Sequence, residues 1–422
     1  MEPVSKLSTA GPLFGLLRLP RTILFGIGQR NALGSVAAGL GRRALICTDS
    51  RFSADPAFAH LLRSLEQAGV EALVYDQVQP DIPRDTVLEC CDVAKLLRPD
   101  QVIGIGGGSC LDMAKCAALI LAHGGRVEDY YGEFKVPGPT LPVIAMPTTA
   151  GTGSEVTPVA VLSDPDRVMK IGISSPHLVP HIAICDPELT LTCPPKLTAI
   201  AGADAMTHAI EAFTTVRREA DAMLAQQHVF VGKSALTDHF ALLAIRLLAR
   251  SLRRAVADGS DTEARADVMM GAMAAGCAFG SAGTAAAHAI QYPIGALTHT
   301  AHGMGVATLL PYVMAYNRPA CIEDFAEVAR AMGIDGAGRS DAMLADLAID
   351  GVAQLFADIG IPADLATLGL PADQQGWAAE QAITVARLIK NNPRSIDLDA
   401  MKSLVGAAFA GDRQLLDTHT GA

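Results

Sequence analysis

The sequence contains no run of lysine and arginine interleaved with aromatic residues, and its formal charge is −11 over 422 residues. A nucleic-acid or anionic-lipid binder would carry such a footprint, so both classes are excluded. A CxxC pair is also missing: Cys47, Cys90, Cys91, Cys110, Cys116, Cys185, Cys193, Cys277 and Cys321 are odd in number and scattered. That pattern excludes a disulfide scaffold and a thiolate zinc knuckle, and it leaves inert thiols of a reducing compartment. Long uncharged apolar runs are scarce. Phe14 to Ile27 is interrupted by Arg18 and Arg21, and Val268 to Ala287 is mostly Ala and Gly with Ser281 and Thr284 inside it. The first makes a poor signal peptide or membrane span, and the second reads as one closely packed core helix. The expectation is a cytoplasmic protein with no nucleic-acid or membrane partner, acting on a small molecule.

What is present is a chain of two textures, half of it apolar and long enough for two cores. In the first half, RRALICTDS, VEALVYD and QVIGIGG read as strands, with the amphipathic PAFAHLLRSLEQAG and TVLECCDVAKLLRP between them as helices. This βαβα order predicts a parallel sheet with helices on both faces. After the turn CPPKLT, Cys193 to Thr198, Ala/Leu/Met segments of helical period take over, at roughly 196–213, 218–231, 233–257, 262–280, 284–292, 302–315, 323–332, 341–358 and 374–389. Residues 1–195 are therefore expected to form a dinucleotide-binding α/β domain and 196–422 an all-helical domain.

The strand QVIGIGG runs into GGSCLDMAK, placing Gly106, Gly107, Gly108 and Ser109 where a strand becomes a helix. Glycines there permit close backbone approach, and the unpaired N–H groups of a helix start attract phosphate. A second turn, PTTAGTGSEVTP, brings the hydroxyls of Thr148, Thr149, Thr152 and Ser154 to the carboxyl end of the next strand. Asp112 and Lys115 can reach a ligand or tie the junction down. Asp49, closing the first of these strands, suits a ribose hydroxyl and repels a 2′-phosphate, favouring NAD over NADP; Asp81 is a second candidate at the same edge.

In GADAMTHAIEAF, Asp204, His208 and Glu211 stand four and three residues apart, on one helix face. Further along, TAAAHAIQYPIGALTHTAHG supplies His288, His299 and His302. Asp204, His208, His288 and either His299 or His302 would give three imidazoles and one carboxylate, a set suited to Fe(II) or Zn(II) with room for a substrate oxygen. Glu211 is either an outer partner of that set or a solvated residue.

Four segments, GGGSCLDMAK, PTTAGTGSEVTP, GADAMTHAIEAF and HAIQYPIGALTHTAHG, resemble in order and separation the iron-dependent (group III) alcohol dehydrogenases. The resemblance extends from the strand before Asp49 to NNPRSID near the end. It implies the dehydroquinate synthase-like/iron-dependent alcohol dehydrogenase fold, homodimers or larger homo-oligomers, and NAD with Fe(II), or Zn(II) or another divalent metal in its place. Metal ligands fall on Asp204, His208, His288 and His302, so the resemblance selects His302 over His299. Cofactor contacts fall on Asp49, Asp81, Gly106, Gly107, Gly108, Ser109, Asp112, Thr148, Thr149, Thr152 and Lys170.

Tyr292 and His302 are the expected catalytic residues. Many members of the family carry a histidine four residues past the third ligand, where this chain has Tyr292. A phenol passes a proton less readily near neutrality than an imidazole does, because its reference pKa is about 10. The expected activity is interconversion of an alcohol and its aldehyde or ketone by hydride transfer. Two enzymatic alternatives are a hydroxyacid-oxoacid transhydrogenase or 4-hydroxy acid dehydrogenase, suggested by YPI, and a metal-dependent lyase of the dehydroquinate synthase type. A carboxylate substrate would call for a cation, and Lys170, Arg217 and Arg218 are the candidates.

Overall fold

The computed structural model describes residues 14–167 and 169–419. Nine strands are found among them: β1 Thr22–Phe25, β2 Arg43–Cys47, β3 Glu71–Tyr75, β4 Gln101–Gly106, β5 Gly132–Glu133, β6 Val143–Pro147, β7 Val159–Leu162, β8 Ile171–Ser174 and β9 Ile182–Cys185. The helices of the first half are α1 Leu33–Leu40, the single turn α2 Ser50–Ser53, α3 Pro56–Gln67, α4 Arg84–Ala94 and α5 Gly108–His123. Then follow α6 Pro195–Thr214, the single turn α7 Leu224–Gln227, α8 Ala235–Ala257, α9 Thr262–Ala282, α10 Ala286–Thr298 and α11 His302–Asn317. The chain closes with α12 Ile322–Ala331, α13 Asp341–Asp358, α14 Gln375–Ile383, α15 Ala386–Ile389 and α16 Leu398–Ala410.

The residues divide into two compact units, one holding Arg18–Ala205 with Ser251–Gly276, the other Met206–Arg250 with Cys277–Ala422. The division expected at 195/196 coincides with the start of α6, whereas the contacts divide the chain ten residues further along that helix. The first unit is built on a six-stranded sheet, ordered β1-β9-β6-β4-β2-β3 and parallel at every pairing. Strand alternation dictates its two cores: Ala44, Ile46, Ile103 and Ile105 face α1 and α3 residues such as Leu33 and Leu61, while Leu45, Cys47 and Val102 face α4 and α5 residues such as Val87 and Met113. From β2 the chain moves outward to β3 and then returns to β4 on the other side. This reversal opens the crevice at the carboxyl ends of β2 and β4 where ligands of such sheets bind. A second sheet, β5-β8-β7, pairs β7 and β8 antiparallel.

The second unit is helical, with α10, α11, α14 and α16 sharing a core through Ile290, Leu309, Tyr312 and Leu404. Two sequence expectations are corrected here. Residues 218–231 do not form a helix: only Leu224–Gln227 winds, because Arg217 bridges to Gly232, whose φ of +83° turns the chain. Val268–Ala287 is not one helix either, since α9 stops at Ala282 and Gly283 adopts φ +88° before α10 begins. Among the described residues no single helix is long and apolar enough to cross a membrane. All nine cysteines are buried, and none forms a disulfide.

Candidate active site

The glycine turn forms because β4, buried along its whole length, must reverse into α5 within two residues. Gly106 has φ +150°, and a Cβ there would lie 2.5 Å from Cys110 Sγ. A Cβ on Gly108 would lie 2.6 Å from Thr152 Cγ2, so the bare helix start lets the second turn settle directly upon it. Thr148 N–H donates to the Gly106 carbonyl at 2.9 Å, which joins the two turns at the ends of neighbouring strands. Thr148 Oγ1 is buried with no hydrogen-bond partner among the described residues, a donor fitted to a ligand oxygen.

Around this turn the structure gathers most of the expected cofactor residues. Asp49 caps α2, its Oδ1 accepting from Phe52 N–H at 2.9 Å, and its Oδ2 lies 3.7 Å from Cys110 Sγ. Asp81 donates its backbone N–H to Ser109 Oγ at 3.2 Å, and its carboxylate holds Lys170 Nζ at 2.5 Å. Asp112 takes the junction-tying role the sequence left open to it: Ser154 Oγ donates to one of its oxygens at 2.5 Å and Val161 N–H to the other at 2.9 Å. It braces the second turn onto α5. Its neighbour Lys115, fully buried, donates to the carbonyls of Thr157 at 3.0 Å and Val159 at 2.8 Å. Burial pushes the Asp112 carboxyl up and the Lys115 ammonium down from their ordinary values.

Sequence reading passed over Glu155, which is buried in the same loop. Burial pushes its carboxyl up to about 7 from an ordinary 4.5. The folded chain thus keeps a proton that the unfolded chain releases, and stability declines as pH rises from about 4.5 to about 7. Glu155→Gln, which copies the neutral form, is expected to melt like the parent at pH 5 and to be more stable by about 2–3 kcal/mol at pH 8. Thermal melts across that range check this; a parallel decline in both proteins would refute it.

The second half of the site begins on α6. Arg265, 3% exposed, anchors the start of this helix by donating to Thr198 Oγ1 at 2.7 Å and to the Cys193 carbonyl at 3.0 Å. A Cβ on Gly151 of the second turn would lie 2.8 Å from the Cβ of Ala201. The turn therefore packs on α6 three residues before Asp204. Candidate ligand atoms of Asp204, His288 and His302 converge within 4.8 Å of one another. One anionic oxygen and two imidazole nitrogens at that spacing fit a single divalent cation. His288 donates Nδ1–H to Glu211 Oε2 at 2.6 Å, which makes Nε2 its coordinating nitrogen.

His208 stands beside these three groups. It lies one turn beyond Asp204 on α6, but its ring stacks on His288 at 4.7 Å and on Phe279 at 4.3 Å, both at 21°, and it is not among the three converging groups. The contact with Phe279 is one that no spacing in the sequence discloses. His299, exposed and with φ +53°, closes α10 and lies outside the cluster, while the Tyr292 ring stands 6.4 Å from that of His302. Each cation weighed for a carboxylate substrate is engaged elsewhere: Lys170 with Asp81, Arg217 with Asp238 at 3.4 Å and Arg218 with Asn391 at 2.9 Å.

Residues 20–187 match the family model described as iron-containing alcohol dehydrogenase, and residues 198–409 match the C-terminal model of that family. The chain is 39% identical over 350 residues to long-chain-alcohol dehydrogenase 1 of Geobacillus thermodenitrificans, covering 82% of this chain and 84% of that one. A solved 1,3-propanediol oxidoreductase aligns with a TM-score of 0.87 at 34% identity, over 94% of this chain and 100% of its own. The sulfoacetaldehyde reductase of Bifidobacterium kashiwanohense, solved in complex with NAD+, aligns with a TM-score of 0.81 at 28% identity, over 95% of this chain and 100% of its own.

Proposed function

The chain belongs to the iron-containing alcohol dehydrogenase family, an oxidoreductase family, and from that premise we propose that it interconverts an alcohol and its aldehyde or ketone by hydride transfer with NAD, aided by one divalent cation. The observation that carries this reading is the convergence of Asp204, His288 and His302 on a helix packed against the nucleotide turn. A cation held by Asp204, His288 and His302, with His208 beside them, would supply charge stabilisation to the substrate oxygen. Fe(II) and Zn(II) both suit the donors.

The protein's own groups do the rest. Backbone N–H groups from Gly107 to Ser109 bind the pyrophosphate, Thr148, Thr149 and Thr152 line the same turn, and Asp49 takes a ribose hydroxyl and disfavours NADP. Asp81 and Lys170, paired at 2.5 Å, border it. The Tyr292 hydroxyl, its ring 6.4 Å from that of His302, would accept the alcohol proton as its own phenolic proton passes to water, and would run the reverse transfer in carbonyl reduction. Pairing of Lys170, Arg217 and Arg218 elsewhere favours an uncharged alcohol over a hydroxy acid. The relatives act on long-chain alcohols, 1,3-propanediol and sulfoacetaldehyde by name, so membership alone does not select the alcohol.

The test is a chelator-stripped protein refilled with Fe(II) or Zn(II) and assayed for NADH formation on primary alcohols, secondary alcohols and 4-hydroxy acids. NADH is expected only after refilling, with uncharged alcohols preferred. Tyr292→Phe is expected to lower kcat about tenfold or more, and an unchanged kcat would show that its hydroxyl is idle. Turnover indifferent to chelation would sink the reading.

A further inference from the structure

The helix α10, which carries His288, starts without a cap of its own. Its preceding residue is Ala285, at φ −136° and ψ −137°, whose methyl side chain accepts nothing. A helix start exposes N–H groups that need acceptors, and a buried start needs them from elsewhere. They come from α6. Glu211, 2% exposed, accepts Ala285 N–H at 2.8 Å and His288 Nδ1–H at 2.6 Å on one oxygen, and Ala287 N–H at 2.7 Å on the other. Glu211 is seven residues beyond Asp204, two turns along the same helix.

We propose that Glu211 is the positioning residue of the metal centre: a single carboxylate both caps α10 and fixes the ring and tautomer of His288. The inference rests on the metal reading above and deepens it. An ionised carboxylate only accepts, so the ring hydrogen of His288 is held on Nδ1 and the lone pair on Nε2. The negative charge behind the ring also makes that nitrogen a stronger donor. The positive end of the α10 dipole and three N–H donors offset the cost of burying the anion. Asp204 and Glu211 thereby act from one rigid helix, the first on the ion and the second on its partner ligand.

Glu211→Gln keeps the shape, loses the charge and turns an amide NH2 toward one of the three donors. In the full chain, Zn(II) affinity measured by chelator competition is expected to fall about 10- to 100-fold. A double-mutant cycle separates this from mere bracing of the helix. In the H288A background E211Q is expected to change Zn(II) affinity less than about threefold, because the ring through which it acts is gone. An equal loss in both backgrounds, or no loss in either, overturns the proposal. Should E211Q melt below the assay temperature, Glu211→Asp, which keeps the charge but withdraws it by one methylene, replaces it in the same cycle with the same criteria. Tight Zn(II) binding by the parent, matched by the variant, overturns this inference alone; a parent that takes up no Zn(II) overturns the metal reading and this inference together.

Discussion

Replacing His288 by alanine is expected to weaken cation binding until the purified protein carries no stoichiometric ion, with only a weaker, titratable affinity left, and to lower kcat/KM by about a thousandfold or more, while NAD binding stays within about twofold of the parent. The size follows from what is lost. Removing one preorganised donor from a developing oxyanion costs about a hundred- to a thousandfold, and losing the cation that the donor holds costs at least as much. The selectivity follows from placement. The glycine turn, Asp49 and the threonine loop belong to the first unit and are held by bonds within it: Thr148 N–H to the Gly106 carbonyl, Phe52 N–H to Asp49 and Ser154 N–H to Thr152 Oγ1. Elemental analysis of the purified variant, NAD titration and steady-state turnover read the three quantities separately. Metal content equal to the parent would end the ligand assignment of His288. A fall in NAD affinity as large as the fall in turnover would show that the variant is damaged more widely.

Gly106→Ala is expected to raise the Kd for NAD at least about tenfold and to lower the melting temperature by several degrees. Two independent costs meet at this residue. Its φ of +150° is one that side-chain-bearing residues seldom adopt, at about 1–3 kcal/mol, and the added methyl would fall 2.5 Å from Cys110 Sγ and 2.7 Å from Cys110 Cβ. Crowding in a packed core adds about 1–3 kcal/mol. The position also governs geometry, because the Gly106 carbonyl receives Thr148 N–H and so sets the distance between the two turns. Cys110→Ala in the same chain should recover only part of the stability, since it relieves the contact and leaves the backbone angle. Unchanged affinity and melting would show that the turn tolerates a side chain and that its glycine has no special task.

Much of this arrangement could be read before any coordinates. The alternation in β2 and β4 and the amphipathic period of α3 and α4 are local signals, and the strands and helices stand where those signals put them. The edge strand β1 escaped notice, being four residues long and paired only with β9 some 160 residues later. The small second sheet went unseen for a similar reason, since its strands are two to four residues long. At the site, Asp204, His208 and Glu211 were legible because helical spacing alone aligns them. The partners to which Asp112 ties the junction were not, because Ser154 and Val161 lie 42 and 49 residues downstream and only the folded chain brings them near. The stacking of His208 on Phe279 is likewise a tertiary contact, made by a residue on another helix far along the chain.

The alanine that opens α10 has a bearing on the order of events as the chain folds. A segment of 13 residues is near the length below which a lone helix is marginal in water, and this one cannot nucleate around a cap of its own. It becomes secure only when α6 has docked and lent it an acceptor. The capped start of α10, and with it the orientation of the His288 ring, exists only where α6 lies folded against it.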